Sequence, residues 1–172
     1  MGEPVETLED LLRPGLYAVC VGINASTVSV TKGHYYQGRL GQQFYERLRY
    51  VGLLPRDADG WEDDALFERG VGFTDIVKRA TARADALRRE EFEHGRALLR
   101  DKLNRVQPTL AVFTYLRTAK VLFGSAAAAG FFEPNGHSDM RYFAMPGPYE
   151  NVARRDALLG ELRRFIARTR RK

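Results

Sequence analysis

Apolar residues gather in three short unbroken runs along the chain: LYAVCV at 16–21, TLAVF at 109–113 and RYFAM at 141–145. Each carries β-branched or aromatic residues and ends in small or turn-prone ones, the pattern of a buried strand. Between the runs the apolar spacing changes to three and four. A helix is predicted over 40–53, stopping near Gly52 and Pro55. From 85 to 106, Phe92, Gly95, Leu99, Leu103 and Val106 mark one face of a long helix that ends before Pro108. A shorter helix is predicted over 117–124. A closing amphipathic helix spans 154–169, with Leu158, Leu162, Phe165 and Ile166 on its inner side. Strands alternating with helices require parallel crossovers. The expected fold is α/β: a three-layer α/β/α sandwich around a short, mainly parallel central sheet, with residues 1–172 as one domain.

Composition changes this picture little. The chain has 172 residues, 44% hydrophobic and 28% charged, enough for one domain with a core. No apolar run nears the roughly 18 residues of a membrane-spanning helix. The acidic start MGEPVETLEDLL argues against a secretory signal, and Glu3 and Pro4 argue against myristoylation at Gly2. A cytoplasmic protein is expected. The one cysteine, Cys20, falls inside the first strand and reads as a small core residue. Charge alters the picture more. The net +5 is concentrated in residues 154–172, where eight basic residues stand against two acidic ones. This basic C-terminal helix suits a polyanion, and solvated charge on a terminal helix is the plainer alternative.

In such a sheet ligands gather beyond the carboxyl ends of the strands. Three segments meet there: GINAST from 22, TYLRT from 114 and MPGPYENVARR from 145. Asn24 therefore sits at a candidate site, although an asparagine there also serves as a turn or cap residue. The histidines His34, His94 and His137, with one cysteine, have no zinc-ligand spacing.

Taken in order, GIN, TKGHYYQG, QFYERL, GVGFTDIVKRAT and MPGPYENVAR resemble the mismatch-specific uracil/thymine-DNA glycosylases over roughly residues 16–166. The resemblance implies base excision, for which no metal or organic cofactor is expected. A nucleotide leaves the stack, its base is held, and water reaches C1′ of the sugar. The family's water-positioning asparagine falls on Asn24, and an amide both donates and accepts. Ile23 precedes it in the base pocket. Ala25 and Ser26 stand where the family usually has proline and glycine. Ser29 falls on the pocket wall beside C5 of the pyrimidine, where it would crowd a methyl group; a plain loop hydroxyl is the alternative. Tyr36 falls on the aromatic that lies over the flipped base, with Tyr35 beside it, and these two adjacent tyrosines read as loop rather than core. His34 serves the loop.

Asp75 stands where some relatives place asparagine or lysine, and a carboxylate there can activate water or stabilise a cationic sugar. Capping a helix before IVKR is its other reading. Thr81 matches a threonine near the water. MPGPYENVARR replaces a serine-rich intercalation loop. It puts Gly147 and Pro148 in the loop, Tyr149 at the wedge, and Arg154 and Arg155 at the phosphates, with a simple strand-to-helix turn as the alternative. The function implied is that of a monofunctional DNA repair glycosylase. It would hydrolyse the N-glycosidic bond of uracil, preferentially opposite guanine, and leave an abasic site. The alternative is a catalytically weakened binder of damaged or mismatched DNA. The expected partner is double-stranded DNA carrying uracil or a mismatch, with single-stranded DNA second; no membrane partner is expected, and the protein is expected to act as a monomer.

Overall fold

A computed structural model describes residues 6–134 and 139–170; His137, Arg171 and Lys172 lie outside them. In chain order the main elements are β1 (Ala18–Gly22), α1 (Thr27–Lys32), α2 (Arg39–Val51), α3 (Glu62–Glu68), β2 (Val71–Asp75), α4 (Arg89–Val106), β3 (Leu110–Phe113), α5 (Leu116–Phe123), β4 (Gly130–Phe132), β5 (Arg141–Ala144) and α6 (Val152–Thr169). The sheet order is β2-β1-β3-β5-β4. The first four strands in that order are parallel, and β4 pairs antiparallel with β5. The three-layer α/β/α architecture expected from the sequence is the one observed.

Alternation along the strands makes two cores, because successive side chains leave opposite faces. Ala18 and Cys20 face α2, α3 and α6, together with Phe73, Val112 and Phe143. Val19 and Val21 face α4 and α5, together with Phe113 and Ala144. Both faces of the central strands are covered, so they read as unbroken apolar runs. Cys20 is fully buried, and burial pushes its thiol pKa up.

The structure adds elements that the apolar pattern does not mark. β2 is interrupted by Gly72, and there the glycine serves a close approach. A Cβ at that position would collide with the Leu11 carbonyl, which pairs with Phe73 along the sheet edge. β4 is three residues long, too short to show a period. α1, with the β-branched sequence TVSVTK, looks like a strand, but both its ends are capped. Ser26 accepts the Ser29 N–H, and Gly33 closes the helix at φ 74°. α3 is a seven-residue acidic helix.

The two long helices match their predicted faces closely. In α4, Gly95, Leu99 and Leu103 are buried, with Phe92 and Val106 beside them. In α6 the inward stripe is rotated slightly: Leu159, Leu162 and Ile166 are buried, while Leu158 and Phe165 are half-buried.

The end of α6 gives part of the basic tail a structural role. Arg170 donates to the carbonyls of Gly52, Leu53 and Arg69, and its guanidinium stands over the Tyr17 ring. Thr169 Oγ1 donates to the Phe165 carbonyl, so the Tyr17 hydroxyl is the donor in its 2.6 Å bond to Thr169. Tyr17 precedes β1, at the amino edge of the sheet. The last turn of α6 is therefore a structural clamp at the edge opposite the strand ends that carry the candidate site.

Arg170→Ala is expected to lower the free energy of unfolding by about 1–2 kcal/mol, the scale of lost charged hydrogen bonds. The readout is a lower urea midpoint at unchanged denaturant slope. An unchanged midpoint would mean that this guanidinium is solvated instead.

Candidate active site

The pairing of β1 with β2 continues beyond both strands. Ile76 N–H donates to the Gly22 carbonyl, Val77 to Ile23, and Thr81 to Ala25. This ladder brings the two loops together at the carboxyl edge of the sheet. A cavity of about 470 Å³ opens there, walled by the segment after β1, by α1, by residues 35–44, by Thr81–Ala84 and by Thr114–Tyr115. Ile23, Asn24, Ser29, Tyr35, Tyr36 and Thr81 all line it.

Asn24 is held by its amide nitrogen. Nδ2 donates to the Arg79 carbonyl at 3.0 Å and to Thr81 Oγ1 at 2.8 Å. Thr81 Oγ1 in turn donates to the Arg83 carbonyl at 2.9 Å, so it must accept from Asn24. Both amide partners are acceptors, which fixes the amide orientation and leaves Oδ1 without a donor among the described residues, on a side chain that lines the cavity. Thr81 thus orients Asn24.

Ser29 lies in α1 rather than in a loop, and it is buried. Its hydroxyl oxygen accepts from the Gln37 N–H and from Ser26 Oγ. Ser26, at the position where the resemblance expects glycine, caps α1 and fixes the Ser29 hydroxyl.

The two tyrosines differ from the sequence expectation of an open loop. Tyr35 is a core residue that forms the inner cavity wall. It is 2% exposed, its ring packs on Phe73, and its hydroxyl donates to the Glu9 carbonyl. Tyr36 lines the cavity while packing edge-on against Phe44 and Phe73. Its backbone adopts φ 57°, a left-handed conformation rare for a tyrosine. Gly41 makes room for this turn, because a Cβ there would collide with the Tyr36 carbonyl. Asp63 secures the same turn by accepting from the Tyr35 N–H and bonding His34 Nδ1, while His34 stacks on Trp61. With Asp64, this group brings three metal-ligand-type atoms within 4.8 Å of one another. Its observed contacts hold the loop.

Asp75 ends β2 and does not cap a helix. It is 2% exposed and lies outside the cavity lining, beneath Gly22. A Cβ on Gly22 would collide with Asp75 Oδ1 and stand 3.0 Å from the Tyr36 hydroxyl. Neither of these buried atoms has a hydrogen-bond partner among the described residues. Burial raises the Asp75 pKa to about 7; Lys78 and Lys102 oppose the rise, and Asp10 adds to it. Both lysines are bound to Asp10, at 2.9 and 2.6 Å.

The loop after β5 stands beside the cavity. Pro148 adjoins Thr114 and Tyr115 in a neighbouring recess, and Tyr149 is 97% exposed. The Gly147 carbonyl accepts the Glu150 N–H, closing a turn, and Asn151 caps α6 through the Arg154 N–H. Arg154 faces Glu150 at 3.7 Å, and Arg155 pairs with Asp156 at 2.9 Å. Sequence reasoning missed Gln37, Phe44, Arg47, Thr114 and Tyr115 as individual site residues. Only TYLRT, as a segment, carried a signal for the last two.

A mainly parallel α/β sheet with a walled cavity at its carboxyl edge is the arrangement in which α/β folds commonly hold their ligands. The model of the Uracil DNA glycosylase superfamily matches residues 10–160, and the chain belongs to that superfamily. It is similar to a G/U mismatch-specific uracil DNA glycosylase of Schizosaccharomyces pombe (strain 972), with 28% identity over 111 residues. That alignment covers 63% of this chain and 34% of the relative, so the match spans about a third of the relative's length.

The orphaned carboxyl gives a stability prediction. The folded pKa of about 7 exceeds the usual 3.8, so the unfolded chain releases this proton first. The cost to folding therefore grows as pH rises from about 4 to about 7 and is full above that range. Asp75→Asn should raise unfolding stability by on the order of a few kcal/mol at pH 8, and the gain should vanish toward pH 4. Urea unfolding across pH measures it. A gain independent of pH would assign the effect to packing.

Proposed function

We propose that this protein hydrolyses the N-glycosidic bond of uracil in DNA, with uracil opposite guanine preferred, and leaves an abasic site. The observation that carries this reading is the Asn24 amide at the cavity wall, locked by two acceptors so that Oδ1 is left without a donor among the described residues. That oxygen accepts a hydrogen bond from a water and turns the water's lone pair toward C1′. As the bond from C1′ to N1 breaks, its electron pair leaves with the base. Water oxygen then bonds C1′ and loses its extra proton to solvent, and the departing uracil anion takes up a proton from solvent. Superfamily membership and the similarity to a G/U mismatch-specific enzyme support this assignment.

Asp75 acts from below the floor. Its oxygen is shut off from the cavity, so holding the water falls to Asn24, and the ionised carboxylate stabilises the cationic sugar through space. No lysine lines the cavity among the described residues: Lys78 is bound to Asp10 and Leu8, and Lys32 stands over Trp61. A lyase step through an amine nucleophile therefore has no support, and the enzyme is read as monofunctional. Tyr149, wholly in solvent at the tip of its turn, is the wedge that fills the vacated stack. Gly147 and Pro148 form that turn, and Arg154 and Arg155 at the start of α6 meet the phosphates. A second reading, a catalytically weakened binder of damaged or mismatched DNA, is favoured by the seclusion of Asp75.

Cleavage of abasic sites formed in a uracil-containing duplex separates the two readings. Asn24→Ala should reduce the single-turnover rate about 100-fold with DNA affinity retained, and Thr81→Val should reduce it less. Asp75→Asn should flatten a pH–rate profile that in the unmutated protein rises through about pH 7. If no abasic site forms above background, the binding reading stands.

Base choice follows from Ser29. Its hydroxyl is fixed at the cavity wall, so a 5-methyl group is crowded by about 1–3 kcal/mol, roughly 10- to 200-fold. Uracil opposite guanine should leave faster than thymine opposite guanine, and Ser29→Ala should narrow that ratio. Paired time courses measure it, and an unchanged ratio would place the methyl-excluding wall elsewhere.

A further inference from the structure

One face of α2 runs from the cavity to the loop after β5. Leu40, Phe44 and Arg47, spaced by four and three, follow one another along it. Leu40 and Phe44 line the cavity, and all three line the adjoining recess together with Thr114, Tyr115 and Pro148.

Arg47 ends the row. Its Nη1 donates to the Pro146 carbonyl at 2.6 Å and its Nη2 to the Gly147 carbonyl at 3.4 Å. No carboxylate pairs with it among the described residues, since Glu46 pairs with Arg49 and Asp156 with Arg155. Burial, with Arg155 nearby, holds its pKa below the ordinary arginine value. A half-buried cation satisfied only by neutral carbonyls is costly compared with a neutral group in the same place. What it grips is the stem of the turn that displays Tyr149.

We propose that Arg47 is a positioning residue. It fixes loop 146–149 to the helix that walls the cavity, so that wedge insertion and base seating share one rigid geometry. This rests on the reading of the protein as a glycosylase with Tyr149 as its wedge. Arg47 touches neither base nor sugar, and its effect passes through the loop. Lysine cannot replace it fully, because one ammonium lacks the planar fork that spans two carbonyls.

A double-mutant cycle tests this, with wild type, Arg47→Met, Tyr149→Ala and the double variant compared in single-turnover excision from a G·U duplex. Arg47→Met should slow excision about 10-fold, within the range for a misplaced positioning element. In the Tyr149→Ala background the same change should cost less than about twofold, because the wedge is already gone. Arg47→Lys should recover part of the loss, and it replaces Arg47→Met in the cycle if the methionine variant does not fold. Independent, multiplicative losses would overturn the proposal. So would an equal Arg47→Met loss on single-stranded uracil DNA, where no stack needs filling. If the unmutated protein excises uracil from neither substrate, the glycosylase reading fails by itself. The cycle is then scored on affinity for the mismatched duplex, where non-additivity supports the anchoring role and additivity overturns it.

Discussion

The backbone ladder between β1 and β2 is the constraint on which the site depends. It pairs Gly22 with Asp75 and then continues through Ile23, Ala25 and their partners beyond the strand ends. Because the two loops stay in register, the Arg79 carbonyl and Thr81 hydroxyl arrive where the Asn24 amide needs acceptors. A slip of one residue would reverse every side chain in β2 and remove Asp75 from beneath the cavity floor. The regular pairing of the sheet thus sets the orientation of one amide.

The same register creates strain and desolvation at the site. Asp75 and Tyr36 each bury a polar atom with no partner among the described residues, and both approach the space left by the missing Gly22 side chain. Such groups destabilise a fold, and buried unpaired groups concentrate at functional sites. Tyr36 is also held in a left-handed backbone conformation, which the contact with Gly41 and the Asp63 bonds maintain. The surrounding core is dense enough to keep these arrangements in place. Tyr35, Tyr45 and Phe73 are all fully or almost fully buried around them.

α2 and α6 divide the remaining work. α2 presents its first residues to the cavity at one end and reaches the loop after β5 through Arg47. α6 begins at that loop and ends at the opposite edge of the sheet, where Thr169 and Arg170 fasten it to Tyr17 and to neighbouring carbonyls. Positive charge that looks like one basic tail in the sequence is therefore divided between the two ends of α6. Arg154 and Arg155 stand in the first turn of α6, next to the loop after β5, and Arg170 closes the far side of the fold.

The sequence by itself determined the α/β class, the three central strands, the long helices, and the meeting of GINAST, TYLRT and MPGPYENVARR at one edge. These follow from local periodicity and from the rule that parallel strands place their ligands at their carboxyl ends. It also marked Asn24, Ser29, Tyr36 and Thr81, which the structure brings to one cavity. Tertiary structure alone decided the rest. β2 and β4 are too short or too interrupted by glycine to show a period, and α1 is a helix through its caps despite a β-branched sequence. Tyr35 is core, Asp75 is secluded beneath Gly22, Arg47 holds a loop about a hundred residues away, and Arg170 clamps the amino edge. Each of these depends on a contact between distant segments, and the chemistry of a single residue does not state which distant backbone it will meet.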